Sequence, residues 1–255
     1  MADLAFGIDI SRYNTSADGK KKMNFDVVDA HAPKVSFVTA RCGISWGYQD
    51  PWFEYYWQEL ERIHMNRMAY HVLYPGESAQ RQADNLFRIV RGDWDHDRLV
   101  LDLELDHGYT KAVITKCTHQ ILELCRTVTG RYPIIYSRTG WVDIHLETVD
   151  MPKVDWWLAQ YRTSLPYPLF TSEYPSPPRP LPRGVDNWLI HQTSARSAAI
   201  GAPGCYFMDY NRWNGSEEKV REYFNSDTVP VPPPPPPALT VEERLTRLEE
   251  AVFSK

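Results

Sequence analysis

The sequence predicts an α/β barrel built from parallel strands. Short apolar runs alternate with segments of helical periodicity along the first half of the chain, a pattern typical of strands that helices cover on both faces. Acidic residues lie at the ends of several apolar runs, and the carboxyl-terminal rim of a strand barrel is where active sites are built. A chain of 255 residues with 43% hydrophobic content is long enough for one such core.

Eight apolar runs are predicted to be strands. They cover residues 5–10, 35–41, 68–73, 99–105, 133–136, 156–160, 188–192 and 205–210. In the fourth run, leucines at every second position alternate with Asp102 and Glu104. Because side chains alternate between the two faces of a strand, the two carboxylates are expected to project from the same face.

Helices are predicted between the early strands. Residues 51–65 begin with proline, which suits a first helical turn, and residues 78–90 show a similar apolar spacing. Residues 110–129 form a third helix that ends at Gly130. A final helix begins after Ser216, which is predicted to be its N-cap, with two glutamates in its first turn.

The alternation of strands and helices weakens after Tyr136. Residues 162–187 contain seven prolines and little periodicity, so the later strands are expected to be joined by loops. The globular domain is predicted to span residues 1–227. Residues 228–238 contain six consecutive prolines, which indicates a stiff polyproline linker.

Residues 239–255 form a short heptad-patterned segment beyond the linker. Its apolar residues follow a 4-3-4 spacing at Val241, Leu245, Leu248 and Val252. Two interpretations stay open, because a helix of this length is marginal in water. The segment is either a small docking or homo-oligomerisation helix or a frayed tail.

Composition narrows the range of functions. The formal net charge is −5, so there is no basic field to attract nucleic acid. No apolar stretch approaches the roughly 18–20 residues of a membrane span, and residues 1–5 lack the basic region of a signal peptide. Synthesis in the cytoplasm without a leader is therefore expected. The cysteines predict neither a disulfide framework nor a metal site; they are Cys42, Cys117, Cys125 and Cys205.

The pair Asp102 and Glu104 is the strongest candidate for chemistry. Two acids held together on a buried strand are costly unless they are paired or share a proton. Their proximity raises the pKa of one of them, and a general acid at neutral pH needs such a raised pKa. The structural alternative is a salt bridge from the pair to Arg41 or Arg138.

Other chemistries find little support. His71 and His191 lie on predicted strands but belong to no HExxH pair, and no serine lies in a GxSxG turn. The chain contains no GxGxxG or phosphate-binding loop. Neither a metal nor a cofactor is expected.

Several motifs in sequence order resemble the glycoside hydrolase family 25 lysozymes, the Chalaropsis-type muramidases. The first two are Gly7-Ile8-Asp9-Ile10-Ser11 and Leu101-Asp102-Leu103-Glu104. The others are Tyr70-His71, Tyr132-Pro133-Ile134-Ile135-Tyr136, Trp157-Leu158-Ala159-Gln160-Tyr161, Trp188 with Gln192, and Met208-Asp209-Tyr210-Asn211-Arg212. The resemblance covers residues 5–224. It implies an irregular TIM-like (β/α) barrel with eight strands and fewer than eight helices.

The resemblance also implies cleavage of the β-1,4 bond between N-acetylmuramic acid and N-acetylglucosamine in bacterial peptidoglycan. Glu104 matches the proton donor of the family, and Asp102 matches its neighbour that stabilises positive charge or orients the substrate. Asp9 and Asp209 match the other two carboxylates of the site. Residues predicted to contact the substrate are Tyr70, Tyr136, Trp157, Gln192 and Arg41.

A cell-wall lysin of phage or bacterial origin is the leading hypothesis. Without a leader, such an enzyme would reach the wall after lysis, through a holin or as a virion component. The alternative is a catalytically inactive wall-binding or structural module that assembles through its C-terminal helix. The presence of all four carboxylates favours the enzyme. A chitinase-like barrel is disfavoured because Leu99 and Val100 occupy the upstream positions of the DxxDxDxE motif.

Overall fold

The computed structural model shows one nine-stranded sheet that closes on itself, because the first strand pairs with both the second and the last. The structure describes residues 4–16, 18–161 and 177–225. The strands are β1 (Phe6–Ile10), β2 (Val35–Ile44), β3 (Tyr48–Gln49), β4 (Asn66–Val72), β5 (Arg98–Asp102), β6 (Ile134–Arg138), β7 (Trp156–Ala159), β8 (Ile190–Ala198) and β9 (Phe207–Trp213). Eight of them form the barrel, and β3 pairs only with β2 as a hairpin at its edge.

Six α-helices lie in the described part of the chain. They are α1 (Phe25–Asp29), α2 (Phe53–Arg62), α3 (Ala79–Ile89), α4 (Lys111–Thr129), α5 (Thr139–His145) and α6 (Glu217–Phe224). An eight-stranded barrel with fewer than eight helices is thus confirmed. The short helices α1 and α5 were not predicted. Helix α6 begins where expected, but the Ser216 side chain makes no capping hydrogen bond.

The expectation that every strand is parallel is wrong for β9. This strand runs antiparallel to both β8 and β1, whereas the other neighbours in the barrel are parallel. Only residues 199–206 separate β8 from β9. A parallel return needs a crossover of a dozen or more residues, so such a short connection forces the chain to turn back. Residues near the start of β9 therefore lie at the same rim as the ends of the other strands.

The fourth predicted strand is shorter than expected, because β5 ends at Asp102. The amide of Leu103 still donates to the Tyr136 carbonyl at 2.9 Å, and the chain leaves the sheet directly afterwards. Glu104 consequently lies in the loop after β5 and not on the strand.

The barrel interior has two layers. An apolar layer lies towards the amino-terminal ends of the parallel strands, and a polar layer lies towards their carboxyl-terminal rim. The apolar layer contains Phe37, Met68, Val100, Ile134, Ile190 and Trp213. The ring of Phe37 crosses under β1, where Gly7 has no Cβ that would overlap it. Alternate strand residues face outward into a second core beneath the helices. This separation fixes which side chains enter the barrel and which support the helices.

Helix α6 closes the amino-terminal end of the barrel. Its Val220 and Phe224 belong to the interior core together with Trp213. The buried Arg98 donates to the carbonyls of Tyr223 at 2.7 Å and Phe224 at 2.9 Å. These carbonyls belong to the last turn of the helix, where no following turn supplies N–H donors. Arg98, at the start of β5, therefore caps the carboxyl-terminal end of α6.

The predicted linker at 228–238 and the heptad segment at 239–255 lie outside the described residues, as does most of the proline-rich stretch from 162. All four cysteines are free thiols. Within the described residues, the structure contains no helix whose length and apolar character would let it cross a membrane.

Candidate active site

A pocket of about 210 Å³ opens at the carboxyl-terminal rim of the barrel. Its lining consists of Asp9, Tyr70, Asp102, Glu104, Tyr136, Trp157, Tyr161, Gln192 and Asp209. The structure thus brings together all four predicted carboxylates and four of the five residues predicted to contact substrate. It does not bring Arg41 into this lining.

Strand alternation places most of these side chains. Tyr70, Asp102, Tyr136 and Gln192 each lie two residues beyond an apolar residue of the interior layer. Side chains two residues apart on a strand share a face, so these polar groups form the next layer towards the rim. Glu104 reaches the same pocket from the loop beyond β5.

Two amide side chains hold Asp9 at the end of β1. Its Oδ2 accepts hydrogen bonds from Gln192 Nε2 at 2.7 Å and from Asn211 Nδ2 at 2.8 Å. The indole of Trp157 donates to Asn211 Oδ1 at 2.9 Å. Because an indole N–H can only donate, this contact orients the Asn211 amide so that its nitrogen faces Asp9.

Two tyrosines orient the second amide in the same way. The hydroxyl of Tyr136 donates to Gln192 Oε1 at 2.7 Å, and the hydroxyl of Tyr161 donates to the same oxygen. The amide nitrogen of Gln192 is thereby directed at Asp9. The position of this carboxylate is fixed by a connected network and not by one contact.

Asp9 and Asp209 form a hydrogen-bonded carboxyl pair across the β1–β9 ladder, where they are register partners. Burial raises the pKa of both groups, while the bonds from Asn211 and Gln192 partly counteract this rise for Asp9. The charge of Asp9 and the bond between the two carboxyls raise the pKa of Asp209 further. The pKa of Asp209 is thus raised more than that of Asp9, which favours the shared proton on Asp209 and the anionic form of Asp9.

Asp102 is a buried carboxyl with one unpartnered oxygen: it is 5% exposed, and its Oδ1 has no hydrogen-bond partner among the described residues. Burial raises its pKa well above the ordinary value, and the nearby charges of Glu104 and Asp9 add to this rise. A buried oxygen without a protein partner is suited to a polar group of a ligand.

Glu104 is half-buried, and burial raises its pKa, with a further contribution from the charge of Asp9. The positive charge of Arg138 opposes this shift. A carboxyl that keeps its proton above its ordinary range and still borders an open pocket can act as a general acid.

Among the described residues neither Arg41 nor Arg138 forms the alternative salt bridge with the acid pair, although the charges of both lower the pKa of Asp102. The Nε and Nη2 of Arg41 both lie 2.9 Å from Asp50 Oδ2. Asp50 is 1% exposed and also accepts from the backbone amides of Arg12 and Trp52. In the sequence, Asp50 directly precedes Pro51, the first residue of a predicted helix. Nothing about that position predicts a buried ion pair.

Sequence reasoning also missed Tyr161 and Asn211 as site residues. Both lay within the motifs that resemble the family, and both continue the inward positions of their strands. Asn211 is two residues from Asp209 on β9, and Tyr161 continues the inward positions of Trp157 and Ala159. Applying the period of two beyond the acidic residues would have found them.

Replacing Asp209 by asparagine is expected to stabilise the fold at pH 7 by about 1 kcal/mol. The folded state holds the Asp209 proton more tightly than the unfolded chain, so this carboxyl costs stability as the pH rises above its ordinary pKa of 3.8. An asparagine amide donates to Asp9 without that cost. The gain in free energy of unfolding, measured by urea titration, should shrink towards pH 4.

The exposed Asp84 on α3 provides the matched control, since Asp84→Asn should change stability little at either pH. An Asp209→Asn variant that is less stable than wild type at pH 7, or equally stabilised at pH 4 and 7, would contradict the assignment of the shared proton.

Carboxyls with raised pKa values, grouped with aromatic side chains at the carboxyl-terminal rim of an α/β barrel, are the arrangement expected of a glycoside hydrolase. Comparison with known families agrees with this class. Residues 8–201 match the model of glycosyl hydrolases family 25, and the chain belongs to that family.

Known relatives and structures extend the comparison. The uncharacterized protein YegX of Escherichia coli strain K12 is 28% identical over 220 residues, which cover 85% of this chain and 72% of YegX. A muramidase from Trichobolus zukalii superposes with a TM-score of 0.68 at 22% identity, over 87% of this chain and 99% of that one. A lysozyme from Streptomyces coelicolor gives 0.67 at 20% identity, over 88% and 98%. At these identities the structural likeness shows a shared fold.

Proposed function

We propose that this protein is a muramidase that hydrolyses the β-1,4 bond between N-acetylmuramic acid and N-acetylglucosamine in bacterial peptidoglycan. The observation that supports it most is the pocket itself, in which a half-buried Glu104 with a raised pKa borders three further carboxyls. Membership of family 25 and the muramidase fold of the structural neighbours support the same substrate. Peptidoglycan as substrate places the action of the enzyme at the bacterial cell wall.

In this proposal Glu104 is the proton donor. Its carboxyl gives a proton to the glycosidic oxygen as the bond to the anomeric carbon breaks, so the leaving sugar departs as a neutral alcohol. Water supplies the new hydroxyl at the anomeric carbon, and its proton restores the acid. The raised pKa of Glu104 supports this role because the group must be protonated at the start of the cycle.

Asp9 supplies negative charge towards the developing positive charge of the sugar ring, and Asp102 orients the substrate. Asp9 is held as an anion by two amide donors, and a fixed charge of this kind needs no reorganisation during the reaction. The unpartnered Oδ1 of Asp102 is available to a donor on the substrate, such as an acetamido N–H.

The aromatic lining supports a sugar ligand. The Tyr136 and Trp157 rings meet edge to face with centroids 4.7 Å apart. Burial raises the pKa of the Tyr70 and Tyr136 hydroxyls well above the ordinary value, so both stay protonated. Apolar ring faces together with the Tyr70 hydroxyl donor match the two kinds of surface that a pyranose ring presents.

The test is the release of reducing ends from purified peptidoglycan, with the products identified by mass spectrometry. A muramidase leaves N-acetylmuramic acid at the new reducing end, and we expect this product. N-acetylglucosamine at that end would contradict the assigned bond. Retained pelleting on cell walls without any release would instead support the alternative, a wall-binding module.

A further inference from the structure

An exposed cluster of one arginine and two tyrosines lies on the segments that follow β1 and β2. We call this cluster, Arg12 with Tyr13 and Tyr48, the rim arginine patch. Arg12 donates from Nη1 to the Tyr48 hydroxyl at 3.3 Å and from Nη2 to the Tyr13 hydroxyl at 3.2 Å. Its guanidinium carbon lies 4.9 Å from the Tyr13 ring centroid. Tyr13 is 65% exposed, which is unusual for a large aromatic side chain.

The charge of Arg12 is not compensated by the groups around it. Asp50 accepts from the Arg12 backbone amide, but its side chain is ion-paired with Arg41, so these two charges balance. Among the described residues Arg12 forms no ion pair with a carboxylate; its guanidinium contacts are the two tyrosines. Several of its N–H donors remain for an external group.

The rim arginine patch is joined to the active-site pocket through two short connections. Arg12 follows Asp9 by three residues, and Asp9 lines the pocket. The second connection runs through Arg41. Its guanidinium carbon lies 5.4 Å from the Tyr13 ring centroid, and Arg41 is the register partner of the pocket residue Tyr70. A ligand that fills the pocket and extends towards β2 would meet the patch.

Charge suggests what that ligand group is. The whole chain has a net charge of −5 and Asp9 is the anionic carboxyl of the pocket, so an acidic substrate is repelled overall. The muramoyl residue of peptidoglycan bears a peptide stem with free carboxylates, linked through a flexible lactyl group. An uncompensated guanidinium beside the pocket offsets this repulsion and binds a carboxylate in a two-pronged geometry.

We infer that the rim arginine patch binds a carboxylate of the peptide stem on the muramoyl residue, and so selects substituted over bare glycan. This inference rests on the proposed muramidase function. Arg12 acts as a specificity residue, with its guanidinium held in place by the two tyrosine hydroxyls. The chemistry of catalysis stays with the four carboxyls in the pocket.

The test compares two substrates, peptidoglycan strands with their stems and the same strands after an amidase has removed the stems and the lactyl carboxylates exposed by that cleavage have been converted to neutral amides. For Arg12→Ala we expect the ratio of kcat/KM between substituted and bare strands to fall about tenfold, because a charge-assisted hydrogen bond is lost. The change should appear in KM and not in kcat. Arg12→Lys keeps the charge without the planar fork, so its ratio should lie between those of wild type and Arg12→Ala.

Arg126 on α4 provides the matched control. It too is partly exposed and stacks on a tyrosine, with its guanidinium carbon 5.3 Å from the Tyr132 centroid, but it lies on an outer helix. Arg126→Ala should leave the substrate ratio at the wild-type value. Thermal unfolding of all variants checks that each is folded.

The outcomes separate this inference from the function on which it rests. If wild type cleaves both substrates and Arg12→Ala leaves their ratio unchanged, or lowers both rates equally, stem recognition by Arg12 is overturned while the muramidase stands. If wild type cleaves neither substrate, the proposed function fails first.

Discussion

Replacing Glu104 by glutamine should reduce glycan hydrolysis by about 10³-fold while the protein stays folded. General acid catalysis contributes roughly 10²–10⁴-fold to a rate, and a glutamine amide cannot give up a proton to the leaving oxygen. The two side chains are almost the same size, so packing in the loop after β5 should be preserved. Reducing-end release from purified peptidoglycan measures the rate, and thermal unfolding checks the fold.

The control for this substitution is Glu147→Gln. Glu147 is a surface residue whose carboxylate lies 3.6 Å from Lys111, and it is remote from the pocket lining. Its replacement should leave the rate unchanged. A Glu104→Gln enzyme with wild-type turnover would show that another group donates the proton.

The pH profile gives a second readout of the same assignment. Because burial raises the pKa of Glu104, the wild-type enzyme should remain active above the ordinary glutamic acid value of 4.5. Its kcat/KM should then fall as the pH rises through the raised pKa and the proton is lost. The residual activity of Glu104→Gln should lack this alkaline decline.

Trp213→Ala is expected to cost about 3–5 kcal/mol of unfolding free energy, the range for removing a buried aromatic side chain. Trp213 is 2% exposed. Its ring lies 5.3 Å from Phe37 inside the barrel and 5.0 Å from Tyr223 of α6, centroid to centroid. One side chain thus joins the last strand to the helix that closes the barrel, and its loss opens a cavity at that junction.

Urea unfolding measures this loss, and Trp46→Ala is the matched control. Trp46 is 47% exposed in the hairpin between β2 and β3, so removing it should cost far less. A cost below about 1 kcal/mol for Trp213→Ala would mean that α6 does not contribute to the stability of the barrel.

Most of the pocket could be predicted because local pattern and position in the fold agree there. Asp102 was predicted from its strand pattern, and Tyr70 and Gln192 from the family resemblance. All three lie at inward positions of strands, where alternation directs their side chains to one rim. Glu104 lines the pocket as predicted, but the structural reason differs from the predicted one. It was assigned to the strand beside Asp102, and it reaches the pocket from a loop.

The rest depended on contacts between residues far apart in sequence. The direction of β9 follows from the short connection after β8, and the start and end of a strand cannot be told apart by apolar pattern. Arg41 could be recognised as a cation near the rim, but its pairing with Asp50 depends on how the chain turns after β3. The orientation of the Asn211 amide depends on the hydrogen bond that it accepts from the Trp157 indole, and the sequence does not reveal that contact.

The antiparallel last strand also determines where the two ends of the barrel emerge, and so how the enzyme can be attached to a support. The carbonyl of Ala5 accepts from the Trp213 amide, so the chain enters the barrel where β9 ends, and α6 then completes that same closed face. Both ends of the described barrel thus emerge opposite the pocket. Fastening the barrel to a bead or a carrier through either end would leave the cleft facing outward, the geometry needed to work on an insoluble wall.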